Sequence, residues 1–235
     1  MATASPPAPS REPESPVTLR GVDWETYARL RDDPGNDHLR MDYLDGTLRI
    51  MAPDPIHEEA ANLLALVVRG TAAGLGLAVK GLRTTTLRRG SAPGRGGGKD
   101  PDNAFYLGPH VGPMTSFRKL RKAGAKPGLD LDVDRPPDLA IEVNHCRDSA
   151  GSLPTYARLG VPEVWRYEVA ADALRFFRLA GEAYEEVDRG LVLPILTPAL
   201  AIEALDLLDA LPAYDEVAYL DQVRAWARSL PPPPA

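Results

Sequence analysis

Residues 136–144 read PPDLAIEVN, and their alternation sets the reading of the chain around them. Side chains alternate sides along a strand, so Leu139, Ile141 and Val143 share one face, and Asp138, Ala140, Glu142 and Asn144 share the other. The apolar face predicts a central strand covered by a helix. Glu142 is then a carboxylate inside an otherwise apolar strand, where burial alone is costly. The cost falls if the acid holds a hard cation, which takes oxygen ligands, or if it meets one of the chain's arginines. Asp138 and Asn144 lie on the same face and could extend such a cluster.

Working towards the N-terminus, DPDNAFYL (100–107) places Asp102 after Pro101, immediately before a strand over Ala104–Leu107. His57 to about Ala73 is an amphipathic helix with Leu63, Leu64, Leu66, Val67 and Val68 on its apolar side. Glu58 and Glu59 in its first turn suit the helix dipole. Upstream, MDYLDGTLRIMAP (41–53) carries Asp45-Gly46 between two short alternating runs, a hairpin signal. Asp23 can cap a short helix to Leu30. Leu77–Lys80 and Thr84–Arg88 read as strands, and the Gly-rich GSAPGRGGGKD (90–100) as a loop between strands. Towards the C-terminus come a helix at Ser152–Leu159, strands at Glu163–Glu168, Leu174–Leu179 and Tyr184–Val187, and helical segments at Leu200–Leu208 and Tyr214–Leu230. This order predicts an α/β (α+β) domain with a mixed central sheet flanked by helices.

Composition bounds the function classes. The chain has 235 residues, 44% of them hydrophobic, with 27 basic against 33 acidic residues and a net charge of −6. A sizeable core is expected, and a uniformly basic nucleic-acid coat is excluded. One Cys excludes a disulfide framework and a thiolate zinc cluster, which points to a reducing cytoplasm. No apolar run approaches the roughly 20 residues of a spanning helix, so no membrane association is expected. The N-terminal MATASPPAPSREPESP has neither a basic start nor an apolar stretch, and does not read as a signal peptide. Prolines crowd both ends, which predicts disordered tails over 1–18 and 231–235, a domain over 19–208 and a helical extension over 209–230.

Charge is uneven within this frame. Between Lys80 and Lys126 eleven basic residues face only Asp100 and Asp102. Such a strip can bind phosphate locally or be a solvated loop. Adjacent His145 and Cys146 point opposite ways on a strand and do not make a dyad. GRGGGK lacks the spacing and the trailing Ser or Thr of a phosphate-binding P-loop.

The runs MDYLDGTLRIMAPDPIHEEAANLL, DPDNAFYL, PPDLAIEVN and LPTYARLGVPEVWRYEV, in that order, resemble the Uma-type restriction endonuclease family of the PD-(D/E)-x-K nuclease superfamily, over about residues 20–205. The resemblance implies a restriction-endonuclease-like core and a catalytic set of Asp102, Glu142 and, at the motif's third position, Asn144. It implies one or two Mg²⁺ ions, with Mn²⁺ as an alternative, held by Asp102, Glu142 and the Val143 carbonyl, with Glu58 on the first core helix as a further ligand and His57 beside it. The superfamily expects Lys where this chain has Asn144. Many family members instead carry Lys four residues before the Tyr of the next helix, which here is Ser152 before Tyr156. Lys99, three residues before Asp102, is the candidate substitute. DNA is the implied partner, through Arg83, Arg88, Arg89, Arg95 and Lys99, and a homodimer is compatible with cutting both strands. Two functions follow: a metal-dependent DNA endonuclease, favoured by Asp102 and Glu142, or a catalytically impaired nuclease fold serving as a DNA-binding or protein-interaction module, favoured by Asn144 and Ser152.

Overall fold

The computed structural model describes residues 16–52, 54–90, 96–111, 128–144 and 151–233. The hairpin forms where Asp45-Gly46 places it: both residues adopt positive φ (45° and 90°) and close β2 (Arg40–Leu44) onto β3 (Thr47–Met51). β1 (Val17–Arg20) pairs with the outer edge of β3. Val17 and Thr18, read from the sequence as part of the tail, are thus in a strand; residues 1–15 lie outside the described residues. α1 (Trp24–Asp32) starts at Asp23, whose carboxylate accepts the Thr26 N–H at 2.7 Å. α2 (Pro55–Gly74) starts at Asp54, which accepts the N–H groups of Ile56 and His57. Pro55 in the first turn costs no hydrogen bond there.

The remaining strands are β4 (Val79–Gly81), β5 (Leu87–Arg89), β6 (Gly97–Lys99), β7 (Asn103–Leu107), β8 (Leu129–Asp130), β9 (Leu139–Asn144), β10 (Glu163–Glu168), β11 (Ala173–Ala180) and β12 (Ala183–Val187). The remaining described helices are α3 (Leu153–Leu159), α4 (Pro198–Asp206) and α5 (Glu216–Ser229). The strands form two sheets, in the orders β1-β3-β2-β6-β5-β8 and β12-β11-β10-β9-β7-β4. Both are mixed: β9 runs parallel to β10 and antiparallel to β7, and β5 runs parallel to β8. The architecture is the expected mixed α/β, with two sheets in place of one.

β9 lies inside its sheet, as its alternation predicts. Leu139, Ile141 and Val143 join the principal core with Leu64, Val67 and Val68 of α2 and the stacked rings of Trp165 and Phe176. The opposite face buries Ala140 and Val164 against Tyr156 and Leu159 of α3. The C-terminal helix packs on α2: Tyr219, Val223 and Ala227 are buried, with Tyr219 and Val223 in the principal core. Gly70 permits this approach, since a Cβ there would lie 2.7 Å from Val223 Cγ1. Residues 231–233 have no regular structure, and 234–235 lie outside the described residues.

The Gly-rich stretch departs from expectation. Gly97–Lys99 is a fully buried strand that pairs with both β2 and β5; residues 91–95 lie outside the described residues. Gly97 makes room for Arg158 and Gly98 for an aromatic ring. Tyr27 stacks on Tyr43 at 4.8 Å between centroids, with Trp24 against both, and a Cβ at Gly98 would collide with the Tyr27 ring, 2.4 Å from Cζ. Overpacking of this kind costs about 1–3 kcal/mol, so Gly98→Ala is expected to lower the unfolding free energy by that amount, read as a lower urea midpoint. An unchanged midpoint would show that Tyr27 yields freely.

Candidate active site

The site is built on one corner. KDPD (99–102) leaves the first sheet at the end of β6 and enters the second at β7. Asp100, buried at the corner, accepts the Met41 N–H at 2.9 Å and Arg31 Nη1 at 3.0 Å on Oδ2, and the Thr86 hydroxyl at 2.6 Å on Oδ1. These bonds fix the residues on either side. In the β7–β9 register Asn103 lies opposite Ile141, which puts Asp102 beside Glu142. The Val143 N–H donates to Asp102 Oδ2 at 2.7 Å, and His57 Nε2 of α2 lies 3.2 Å from the same oxygen.

From the other side of the corner, Lys99 Nζ lies 2.7 Å from Glu142 Oε1. Its cross-strand partner on β2 is Asp42, whose Oδ2 is 3.8 Å from Nζ and whose Oδ1 accepts the Thr155 hydroxyl at 2.5 Å. The Tyr156 hydroxyl donates to Glu142 Oε2 at 2.9 Å. Both sheets and α3 thus meet at Glu142, which is buried.

Charge explains how the groups titrate. Burial pushes the Glu142 carboxyl upward; Lys99 opposes this, and the neighbouring Asp102 and Asp42 reinforce it, leaving it raised. Burial alone would lower the Lys99 ammonium, but Glu142, Asp42 and Asp102 hold it above its usual range, so it stays charged. Burial and the neighbouring Glu142 raise Tyr156 far enough to keep it an O–H donor. Burial opposes the charge on His57, but its bond to Asp102 and the nearby acids carry its pKa above the ordinary value.

The residues expected at the site separate into groups. A cleft beside Glu142 is lined by Asp42, Lys99, Asn144 and Ser152, with Arg40 and Arg49 of the β2–β3 hairpin. Asn144 and Ser152 bring no cation to it. Asp102 borders a second hollow with Glu58, Asn62, Arg69 and Arg83. Glu58 reaches the rim of that hollow but is paired with Arg40 at 2.9 Å, and its neighbour His57 makes the contact with Asp102.

Asp138 does not extend the cluster. It sits at the far end of β9, where it accepts the Leu107 N–H at 2.8 Å and lies 2.7 Å from His110 Nδ1 and 3.3 Å from Arg135. Two arginines of the basic strip have partners within the fold. Arg88 pairs with Asp32 at 2.6 Å, and Arg89 donates to the carbonyls of Leu131 and Arg158. Arg95, Arg118, Lys119, Arg121, Lys122, Lys126, His145 and Cys146 lie outside the described residues.

Asp42, Thr155 and Tyr156 are the site residues that sequence reasoning missed. Asp42 gave one signal, a lone acid in the run RMDYL. Among the described residues no three His, Cys, Asp or Glu side chains form a ready metal cluster. What the chain offers a cation is hard oxygen: two adjacent carboxylates, Asp102 and Glu142, and the Val143 carbonyl. With Asp42 nearby, three carboxylates gather around the Lys99 ammonium, with His57 at the edge.

Two acids thus lie side by side on neighbouring strands of a mixed sheet, backed by a capped helix. Residues 24–208 match the Uma2 family, described as "putative restriction endonuclease", and the chain belongs to this family. A solved structure from Anabaena variabilis, described as a putative nuclease belonging to DUF820, is similar over 86% of this chain and 99% of its own, at 14% identity and a TM-score of 0.43. No curated protein matches. Among the described residues no helix is long and apolar enough to cross a membrane.

Two outcomes follow from the geometry. Asp100→Ala strands the buried Arg31 and is expected to cost about 3–5 kcal/mol in chemical denaturation. Asp37→Ala, which removes the exposed partner of the same arginine, should stay within about 0.5 kcal/mol; equal effects would refute the anchoring role. For His57, a raised folded pKa means that its stabilising contribution is full below the unfolded value of about 6.5 and fades as pH rises through the folded value. In EDTA its NMR titration midpoint should exceed that unfolded value and fall in Asp102→Asn. No change in that variant would dissociate the pair.

Proposed function

We propose that this chain is a metal-dependent endonuclease that hydrolyses DNA phosphodiester bonds. The observation that carries the reading is the meeting of Asp102 and Glu142 on adjacent strands, tied by the Val143 N–H at 2.7 Å and open to flanking hollows. Asp102, Glu142 and the Val143 carbonyl would hold Mg²⁺ or Mn²⁺, with Glu58 as a further oxygen donor at the rim. A cation there supplies Lewis acidity towards the phosphate and makes water more acidic. Tyr156 and Val143 orient the two carboxylates, and His57 holds Asp102 from the helix side. Buried donors of this kind are already oriented when the substrate arrives.

The substrate path follows the cations that reach the site. Arg40 and Arg49 line the cleft beside Glu142 and Arg83 the hollow beside Asp102, so these replace Arg88 and Arg89 as phosphate contacts. Asn144 and Ser152 supply the one observation for the rival reading, an impaired nuclease fold that only binds, and turnover decides between the two.

Plasmid nicking is expected with Mg²⁺ or Mn²⁺, none in EDTA, and none in Asp102→Asn or Glu142→Gln; nicking that persists in both folded variants would remove the reading. Arg40→Ala and Arg49→Ala should each lower the salt dependence of DNA affinity by about one unit of slope. Arg89→Ala should leave that slope unchanged while lowering stability, because its guanidinium serves backbone carbonyls. A flattened slope in Arg89→Ala alone would reverse this assignment.

A further inference from the structure

We propose that Lys99 is the cation that meets the negative charge developing on the scissile phosphate, delivered to the cleft from the first sheet and held there by Asp42. The inference rests on the endonuclease reading and names a residue for it.

Hydrolysis consumes one water. Its oxygen forms a new bond to phosphorus, the bond to the leaving sugar oxygen breaks, and that oxygen takes up a proton from the water. Negative charge builds on the phosphate and on the leaving oxygen during the step, and a fixed donor aimed at it accelerates reaction. Lys99 transfers nothing in this scheme; it keeps its proton and donates hydrogen bonds.

Three observations select this residue. Lys99 lines the cleft beside Glu142 and touches Glu142 directly at 2.7 Å. The other cations lining that cleft, Arg40 and Arg49, belong to the hairpin wall, and Arg40 is engaged with Glu58 at its rim. The lysine is also held in place. Its side chain is 4% exposed, Asp42 stands across the strand pair, Thr155 pins Asp42, and the Tyr156 ring lies 5.7 Å from Nζ. An ammonium has three donors. With one on Glu142, a donor remains for a phosphate oxygen seated beside that carboxylate. Asn144, two residues beyond Glu142 on the same strand face, lines the same cleft, so a lysine placed there could deliver an ammonium to the same space.

The test uses the full chain and four variants: Lys99→Met, Lys99→Arg, Asn144→Lys, and Lys99→Met with Asn144→Lys. Folding is followed by circular dichroism, Mn²⁺ binding by calorimetric titration, and turnover by plasmid nicking. Lys99→Met should retain Mn²⁺ binding, since no metal ligand is removed, and lose about a hundred- to thousandfold in turnover. Adding Asn144→Lys should restore much of the loss, a rescue that a merely structural lysine would not show. If Lys99→Met fails to fold, Lys99→Arg, which keeps the charge against Glu142 and Asp42, and the double variant carry the test, and both must nick DNA. Wild-type turnover in Lys99→Met, or a folded double variant that binds Mn²⁺ and nicks no better than Lys99→Met, overturns the assignment and leaves the endonuclease reading intact. A folded wild-type protein that nicks nothing with either metal overturns both.

Discussion

The carboxylate of Asp100 is the point from which the site is built. It is buried, and its three bonds come from a helix arginine, a strand amide and a threonine hydroxyl. A buried acid needs such partners, because an uncompensated charge in the interior is far more costly than the bonds are worth singly. The consequence is geometric. The bonds pin the crossing from one sheet to the other, and the residues on either side of Asp100 arrive at Glu142 from opposite directions, Lys99 from the first sheet and Asp102 from the second.

The same corner explains the glycines before it. β6 begins with two buried glycines before Lys99, so the Tyr27 ring lies directly on Gly98, with Trp24 and Tyr43 on Gly96 just before it. Ring packing holds the strand, the strand holds Lys99, and Lys99 reaches the acid of the neighbouring sheet. Stability and site geometry are therefore coupled at this seam. On the other side of the second sheet, α2 contributes both the apolar cover of β9 and the imidazole against Asp102.

Several acids gather around one lysine at this seam. Burial raises Glu142 and the neighbouring Asp102 and Asp42 add to that rise, while Lys99 opposes it. The arginines that line the cleft come from the β2–β3 hairpin, which is short, tightly turned and tied to β6 through Asp42.

The sequence by itself determined the elements whose cause is local. Alternation placed β9 inside a sheet with its apolar face under α2, Asp45-Gly46 fixed the hairpin, and Asp23 marked the start of α1. The two acids, Asp102 and Glu142, stood out as carboxylates next to apolar strands. The partners were not legible. Gly97–Lys99 read as a loop because its burial depends on rings more than fifty residues away, Asp42 gave only the faint signal of a lone acid in a short strand, and Thr155 and Tyr156 have no local signature of a site. Asp138 shares a strand face with Glu142, yet four residues of strand carry it to another set of donors. Arg88 and Arg89 read as surface charge facing phosphate or water, and their partners on α1, α3 and the Leu131 segment were not visible. Periodicity and turn chemistry act over a few residues, whereas a buried charge is satisfied by whatever groups the folded chain brings within about 3 Å, and only the tertiary structure decides which those are.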